Sequence, residues 1–209
     1  MAKLKSTLPN MFLSLTTICV VAGAILAEVN ILTADPIAAS KAEALQNAIR
    51  EVVPEFDNNP TEEAFMTAIA EGDSVKIYPA KKDNKLVGAA VESNTKKGFS
   101  GEIKVIVGFD TTGKLYNYSV LQHAETPGLG AKMQEWFRME GSRSVLGKDL
   151  SAGPLKVSKD GGSVDAITAA TISSRAFLDA INRAYSAYSG TDAMSGATTN
   201  AKEGGNNHE

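Results

Sequence analysis

One cysteine, Cys19, serves all 209 residues. An intramolecular disulfide, a four-cysteine zinc site and a self-contained iron–sulfur cluster are therefore excluded. Histidine is nearly as scarce, with His123 in the body and His208 in the terminal stretch. With one histidine in the body, neither a catalytic triad nor a metal centre has much support. Cationic surplus is also missing, since 21 Lys and Arg stand against 24 Asp and Glu, for a net charge of −3. Binding to a phosphate backbone needs such a surplus, so no nucleic-acid partner is expected. Any redox chemistry must use a borrowed cofactor, and the length fits one globular domain with attachments.

Ser6 to Ala27 contains no charged residue, a run of 22. At ~1.5 Å per residue it makes about 33 Å of helix, enough for a hydrocarbon core of roughly 30 Å. Ser14, Thr16 and Thr17 interrupt the apolar run, but hydroxyls of this kind can bond to the helix backbone. Lys3 and Lys5 precede the run, and Glu28 and Asp35 follow it. The positive-inside rule then places the N-terminus in the cytoplasm and the body across the membrane, periplasmic in a Gram-negative cell. A cleaved signal peptide would share the basic start, but Ile25 suits the small-residue position before a cut at Ala27 poorly. Cys19 reads as a small apolar side chain of the span. Residues 1–35 are expected to form the cytoplasmic start and a single lipid-embedded anchor, 36–189 the extracytoplasmic domain, and 190–209 a disordered tail. In that tail Met194 is the one large apolar residue, too little to offset the entropy of ordering.

After Pro36, the apolar set Leu45, Ala48, Ile49, Val52 and Val53 keeps helical spacing until Pro54. Two hairpins follow, Ser74 to Tyr78 with Leu86 to Val91, then Glu102 to Phe109 with Leu115 to Leu121. A helix is expected near Ala131, with Met133, Trp136 and Phe137 on one face, and a short strand at Leu155 to Val157. A last helix, from about Ser174 to Tyr188, carries Phe177, Ala180, Ile181, Ala184 and Tyr185 on one side. The fold class is α+β, an antiparallel sheet flanked by helices and preceded by one transmembrane helix.

Three motifs fail on counting. Gly128-Leu129-Gly130 opens like a dinucleotide fingerprint, but Met133 replaces its third glycine and a loop precedes it. Between Gly141 and Gly147 lie five residues where a phosphate loop has four, and Asp149 stands where Ser or Thr is needed. His123-Ala124-Glu125 lacks the downstream cysteines of a zinc deaminase, so His123 reads as a hydrogen-bonding loop residue. No metal site is expected.

Two segments survive. The first, Asp165-Ala166-Ile167-Thr168-Ala169-Ala170-Thr171, runs through Ile172-Ser173-Ser174-Arg175 into the last helix. As structure it is a hydroxyl-rich helix start; as chemistry, a helix N-terminus favours a phosphate, and a threonine hydroxyl there could carry a phosphoester. An unactivated hydroxyl is a poor nucleophile, so such an ester would need an external catalyst. The second, His123 to Lys132, holds Glu125, Thr126, Pro127, Gly128, Leu129 and Gly130. Its glycines permit positive φ and would let a planar ring lie against the backbone.

Together these segments, with Gly98-Phe99-Ser100-Gly101 and the strand after it, resemble the FMN-binding domain of the G subunit of the Rnf electron-transport complex. The C subunit of the sodium-pumping NADH:quinone oxidoreductase shares that domain. The resemblance covers Gly98 to Tyr188. It implies FMN joined through its phosphate to a threonine in a pattern like D-x-x-(S/T)-G-A-T, attached by a separate magnesium-dependent flavin transferase that takes FMN from FAD. Asp165 then matches the acid, Thr168 the first hydroxyl, Ala170 the alanine and Thr171 the flavin-bearing threonine, while Ala169 stands where glycine is usual. Glu125 to Gly130 match the segment expected near the isoalloxazine ring. The tail repeats the pattern at Asp192 to Thr198 with its glycine intact, which makes Thr198 a second, lesser attachment position.

The function implied is an anchored electron carrier in an ion-translocating ferredoxin:NAD oxidoreductase, working beside other membrane subunits, with no substrate pocket and no catalytic side chain of its own. Two rivals stand beside it: the equivalent subunit of the sodium-pumping enzyme, and a flavin-free anchored scaffold in which Thr171 only caps a helix.

Overall fold

A computed structural model of the chain describes residues 7–69 and 73–190. The chain divides into two compact units, Met1–Ala44 and Leu45–Glu209. Helix α1 (Leu8–Val52) begins in the first and ends in the second. The anchor run and the Leu45 segment, separate in the sequence reading, are thus parts of one helix. The stretch between them is rich in alanine, the strongest helix former, and α1 includes Pro36. In the first unit Met11, Phe12, Leu13, Ile18, Ile25 and Leu26 are exposed, and α1 is long and apolar enough to cross a membrane. The hydroxyls of Ser14 and Thr17 donate to the carbonyls of Met11 and Leu13 at 3.0 and 2.8 Å, so these two find partners within the helix.

The second unit is built on a five-stranded antiparallel meander: β1 (Phe65–Ala68), β2 (Ser74–Lys82), β3 (Lys85–Thr95), β4 (Ile103–Asp110) and β5 (Leu115–Gln122), neighbours in that order. Both expected hairpins are present. The first is tighter than expected, because Asp83 and Asn84 turn at φ 50° and 63° and the strands extend to Lys82 and Lys85. Two consecutive residues with φ > 0 make the turn whose twist matches the strands.

Alternation along the strands divides the core between two faces. Tyr78, Ala80, Ala90 and Ile106 pack with Ala48, Ile49, Val52 and Val53 on one. Val75, Ile77, Val91, Val105, Val107, Phe109 and Tyr118 pack on the other with Phe177, Ile181 and Ala184 of helix α3 (Thr171–Gly190). Close approach on the first face depends on Gly108, where a Cβ would stand 1.6 Å from the Val52 carbonyl oxygen.

The segment between β5 and α3 is mostly irregular. A 3-10 turn at Gly130–Lys132 leads into helix α2, a single turn over Met133–Trp136. Met133 and Phe137 are buried beneath it, and the Phe137 ring stacks on Phe177 at 4.6 Å. The strand expected at Leu155 to Val157 is reduced to one parallel bridge, Val157 with Val164. Asn182 explains this: its side chain accepts from Leu155 N and donates to Leu155 O, at 2.8 and 3.0 Å, and takes the groups a strand would use. Helix α3 starts three residues earlier than expected, which puts Thr171 in its first turn.

Candidate functional site

The two surviving segments meet. Thr126, Leu129 and Gly130 from one, and Ala169, Ala170 and Thr171 from the other, line a single cavity of about 320 Å³ with Glu125, Phe99, Ile172 and Ser173. A ligand pocket commonly measures about 300 to 1,000 Å³. Phe99, Leu129 and Ile172 present exposed apolar surface at this cavity, while Glu125 and Ser173 are buried.

The local backbone explains the convergence. After β5, the Glu125 N–H donates to His123 Nδ1 at 3.2 Å, which puts a neutral ring's proton on Nε2 and makes His123 the loop residue its sequence context suggested. The N–H groups of Leu129 and Ala131 both donate to Thr126 O, and Gly128 takes φ 77°, so the loop doubles back. On the other side, Ala170 N donates to Ile167 O and Ser174 N to Ala170 O, both at 3.0 Å, which makes Ala170 the entry to α3. Ser174 Oγ accepts from Ile167 N at 2.9 Å and donates to Ala170 O at 2.9 Å, so this hydroxyl ties the preceding loop to the first turn of α3.

Ala169 turns at φ 61°, the left-handed region that suits glycine. The sequence departs from its pattern at the residue whose conformation calls for glycine. A side chain there costs roughly 1–2 kcal/mol.

Thr171 Oγ1 lies at the start of a 20-residue helix, where unpaired N–H groups and the helix dipole favour an anion. Lys159 Nζ stands 3.4 Å from it. An ammonium donates but has no lone pair to take a proton, so the hydroxyl gains no base from this neighbour.

Pro127 and Gly128 shape the loop but are not on the cavity wall, and Thr168 is exposed beside it. Asp165 also stands apart from the cavity, as a hub. Ser142 and Ser158 donate to its two oxygens, Asp165 N donates to Ser142 O at 2.7 Å, and Trp136 Nε1 donates to its carbonyl at 2.9 Å. The serine hydroxyls hold its carboxyl below the usual range, against a small opposing effect of burial, and the Arg143 charge adds to them. Asp165 thereby ties the irregular segment together before the Thr171 turn.

Phe99, Ile172, Ser173 and Lys159 were not singled out in the sequence. Ile172 and Ser173 adjoin Thr171 in chain, and Phe99 lay within a matching segment; Lys159 had no signal. A second groove, about 470 Å³, lies beyond Ile172, and four of its five charged residues pair with each other: Lys97 with Asp179 at 2.8 Å and Arg175 with Asp160 at 2.7 Å. Among the described residues no cluster of three His, Cys, Asp or Glu side chains could hold a metal. Thr198 lies outside the described residues.

Comparison with known proteins gives the family. The FMN-binding domain family matches residues 98–186, a range that holds every residue lining the cavity. The G subunit of the ion-translocating oxidoreductase complex of Yersinia pestis is 35% identical over 167 residues, 76% of this chain and 79% of that protein. The corresponding proteins of Photorhabdus laumondii and Aliivibrio fischeri are 34% and 33% identical, over 78% and 89% of their own lengths and 75% and 86% of this chain. With an FMN-binding domain on a cavity built from both segments, and this extent of shared sequence, the chain belongs to the family of G subunits of ion-translocating oxidoreductase complexes.

Proposed function

We propose that this protein is the membrane-anchored electron-transfer subunit of an Rnf-type ferredoxin:NAD oxidoreductase, carrying FMN as a phosphoester on Thr171. The observation that carries the reading is the meeting of Thr171 with the Glu125 to Gly130 loop around one cavity. The residues suit the group: a hydroxyl at a helix N-terminus for the phosphate, apolar Phe99, Leu129 and Ile172 for a flat ring, and a buried polar edge at Glu125 and Ser173. When bound, the flavin supplies the electron chemistry, and the protein supplies position and electrostatics.

Each residue has a part in holding the group. The first-turn N–H groups of α3 and the Lys159 ammonium would hold the phosphate and offset its charge. Ala169 and Ala170 keep the approach to Thr171 low, and Asp165 and Thr168 orient the turn before it. Thr126, Pro127 and Gly128 shape the loop that brings Leu129 and Gly130 to the cavity, where they would hold the ring. Covalent attachment keeps the cofactor on an exported domain from being lost by dilution.

As the family resemblance implies, a separate magnesium-dependent flavin transferase makes the bond; the Lys159 ammonium at the Thr171 hydroxyl has no lone pair with which to activate it. Residues 1–35 form a single anchor in lipid with the N-terminus in the cytoplasm. Residues 36–189 form the extracytoplasmic FMN domain, and other membrane subunits of the complex deliver and collect electrons.

The test is intact mass and peptide mapping of protein purified from its native membrane. One FMN less one water on the peptide containing Thr171 is the expected result, lost in Thr171→Ala while the domain stays folded. Bare threonine from cells with an active transferase would leave the scaffold reading in its place. Protease reaching the domain from the cytoplasmic side would overturn the topology.

A further inference from the structure

Glu125 is the one charged residue among the buried side chains of the described chain, at 4% exposure. Burying a carboxylate is costly unless it is hydrogen-bonded. Here Ser100 N donates to Oε1 at 2.9 Å and Ser173 Oγ donates to Oε2 at 2.5 Å. Neither donor is cationic, so the carboxylate's charge has no counter-ion at these contacts. Ser173 belongs to the first turn of α3, whose positive end adds to the compensation.

The space around Glu125 is shaped for it. A Cβ on Gly98 would stand 2.7 Å from Oε1, and one on Gly130 2.7 Å from Oε2 and 2.5 Å from Ser173 Oγ. Three segments distant in sequence, at Gly98, Gly130 and Ser173, therefore close on one carboxylate. Glu125 is also one of the residues that line the cavity with Thr171.

We propose that Glu125 is an anionic positioning residue that lowers the reduction potential of the flavin held at Thr171, by presenting a fixed negative charge on the wall of its pocket. The inference rests on the assignment of flavin to that cavity. Two-electron, one-proton reduction leaves a flavin ring with net negative charge, and a neighbouring carboxylate opposes that gain. The effect is large where water is excluded, because little screening remains.

The test uses full-length, flavin-loaded protein in detergent, with wild type, Glu125→Gln and the exposed control Glu135→Gln titrated spectroelectrochemically. Glu125→Gln keeps the shape and the Ser100 contact and removes the charge. At a fixed applied potential its reduced-to-oxidised ratio should rise about tenfold, about 30 mV for a two-electron couple, while Glu135→Gln titrates with wild type. A Glu125→Gln protein that carries flavin on Thr171 and titrates with wild type overturns the proposal. If that variant fails to fold or load, Ser173→Ala decides. With the charge kept and its hydroxyl donor gone, the potential should fall, and an unmoved potential overturns the proposal equally. Wild type without flavin on Thr171 would instead defeat the functional assignment beneath it.

Discussion

Lys159 Nζ lies 3.4 Å from Thr171 Oγ1, across twelve residues of chain. Lys159 follows the Val157 bridge, and its place is fixed by the 3-10 turn at Ser158–Asp160, which ends at Gly161 with φ 78°. Its ammonium can offset the charge of a phosphoester at Thr171. Lys159→Gln should lower the flavin loaded per protein in a fixed time by roughly two- to fivefold, on the order of an exposed ion pair of 0.5–1 kcal/mol. Mass spectrometry of the Thr171 peptide against time reads it, and loading at the wild-type rate would remove Lys159 from the phosphate site.

Ala169 offers a gain of function. Its φ of 61° costs an alanine roughly 1–2 kcal/mol, while glycine loses about 0.4–1 kcal/mol through the greater freedom of the unfolded chain. Ala169→Gly should therefore stabilise the protein by about 0.5–1 kcal/mol, seen as a higher midpoint in denaturant with the slope unchanged. A lower midpoint would mean that the turn does not hold Ala169 in the left-handed region.

What was legible in the sequence follows from how local the cause is. The hairpins at β2–β3 and β4–β5 could be read because one residue in two faces a core, and α3 because Phe177, Ile181 and Ala184 repeat at helical spacing. Strand β1 was missed: its four residues, Phe65 to Ala68, lie at an edge and are mostly exposed, so no burial pattern marks them. The strand expected at Leu155 was displaced by Asn182, which arrives from α3. In the site, the hydroxyl-rich turn at Thr171 and the Gly128 loop stood out by residue type, while the part given to Thr171 came from the resemblance to a known family. The meeting of Glu125 with Ser173 could not, because 48 residues separate them and only the packing of α3 on the sheet joins them.

Gly108 should prove the least replaceable residue of the sheet. A methyl group there would stand 1.6 Å from the Val52 carbonyl oxygen and 3.2 Å from the Val52 Cβ, and backbone cannot step aside as a side-chain tip can. Gly108→Ala should cost about 3 kcal/mol or more, at the upper end of overpacking. Thermal melting of the flavin-free protein reads this, and a loss under about 1 kcal/mol would show that the end of α1 can lift from the sheet at little cost.

The Asp165 hub predicts how stability changes with pH. Hydrogen bonds from Ser142 and Ser158 hold its carboxyl below the usual range, and the Arg175 guanidinium does the same for Asp160. A carboxyl lowered by folding stabilises the protein above its unfolded value of about 3.9. That contribution fades as pH falls through the lower folded value. Asp165→Asn should thus melt below wild type at pH 7, and the gap should close as the pH is taken well under 4. A gap that stays constant to pH 3 would assign the loss to altered packing, and an Asp165→Asn protein as stable as wild type at pH 7 would show that the hub adds nothing to the fold.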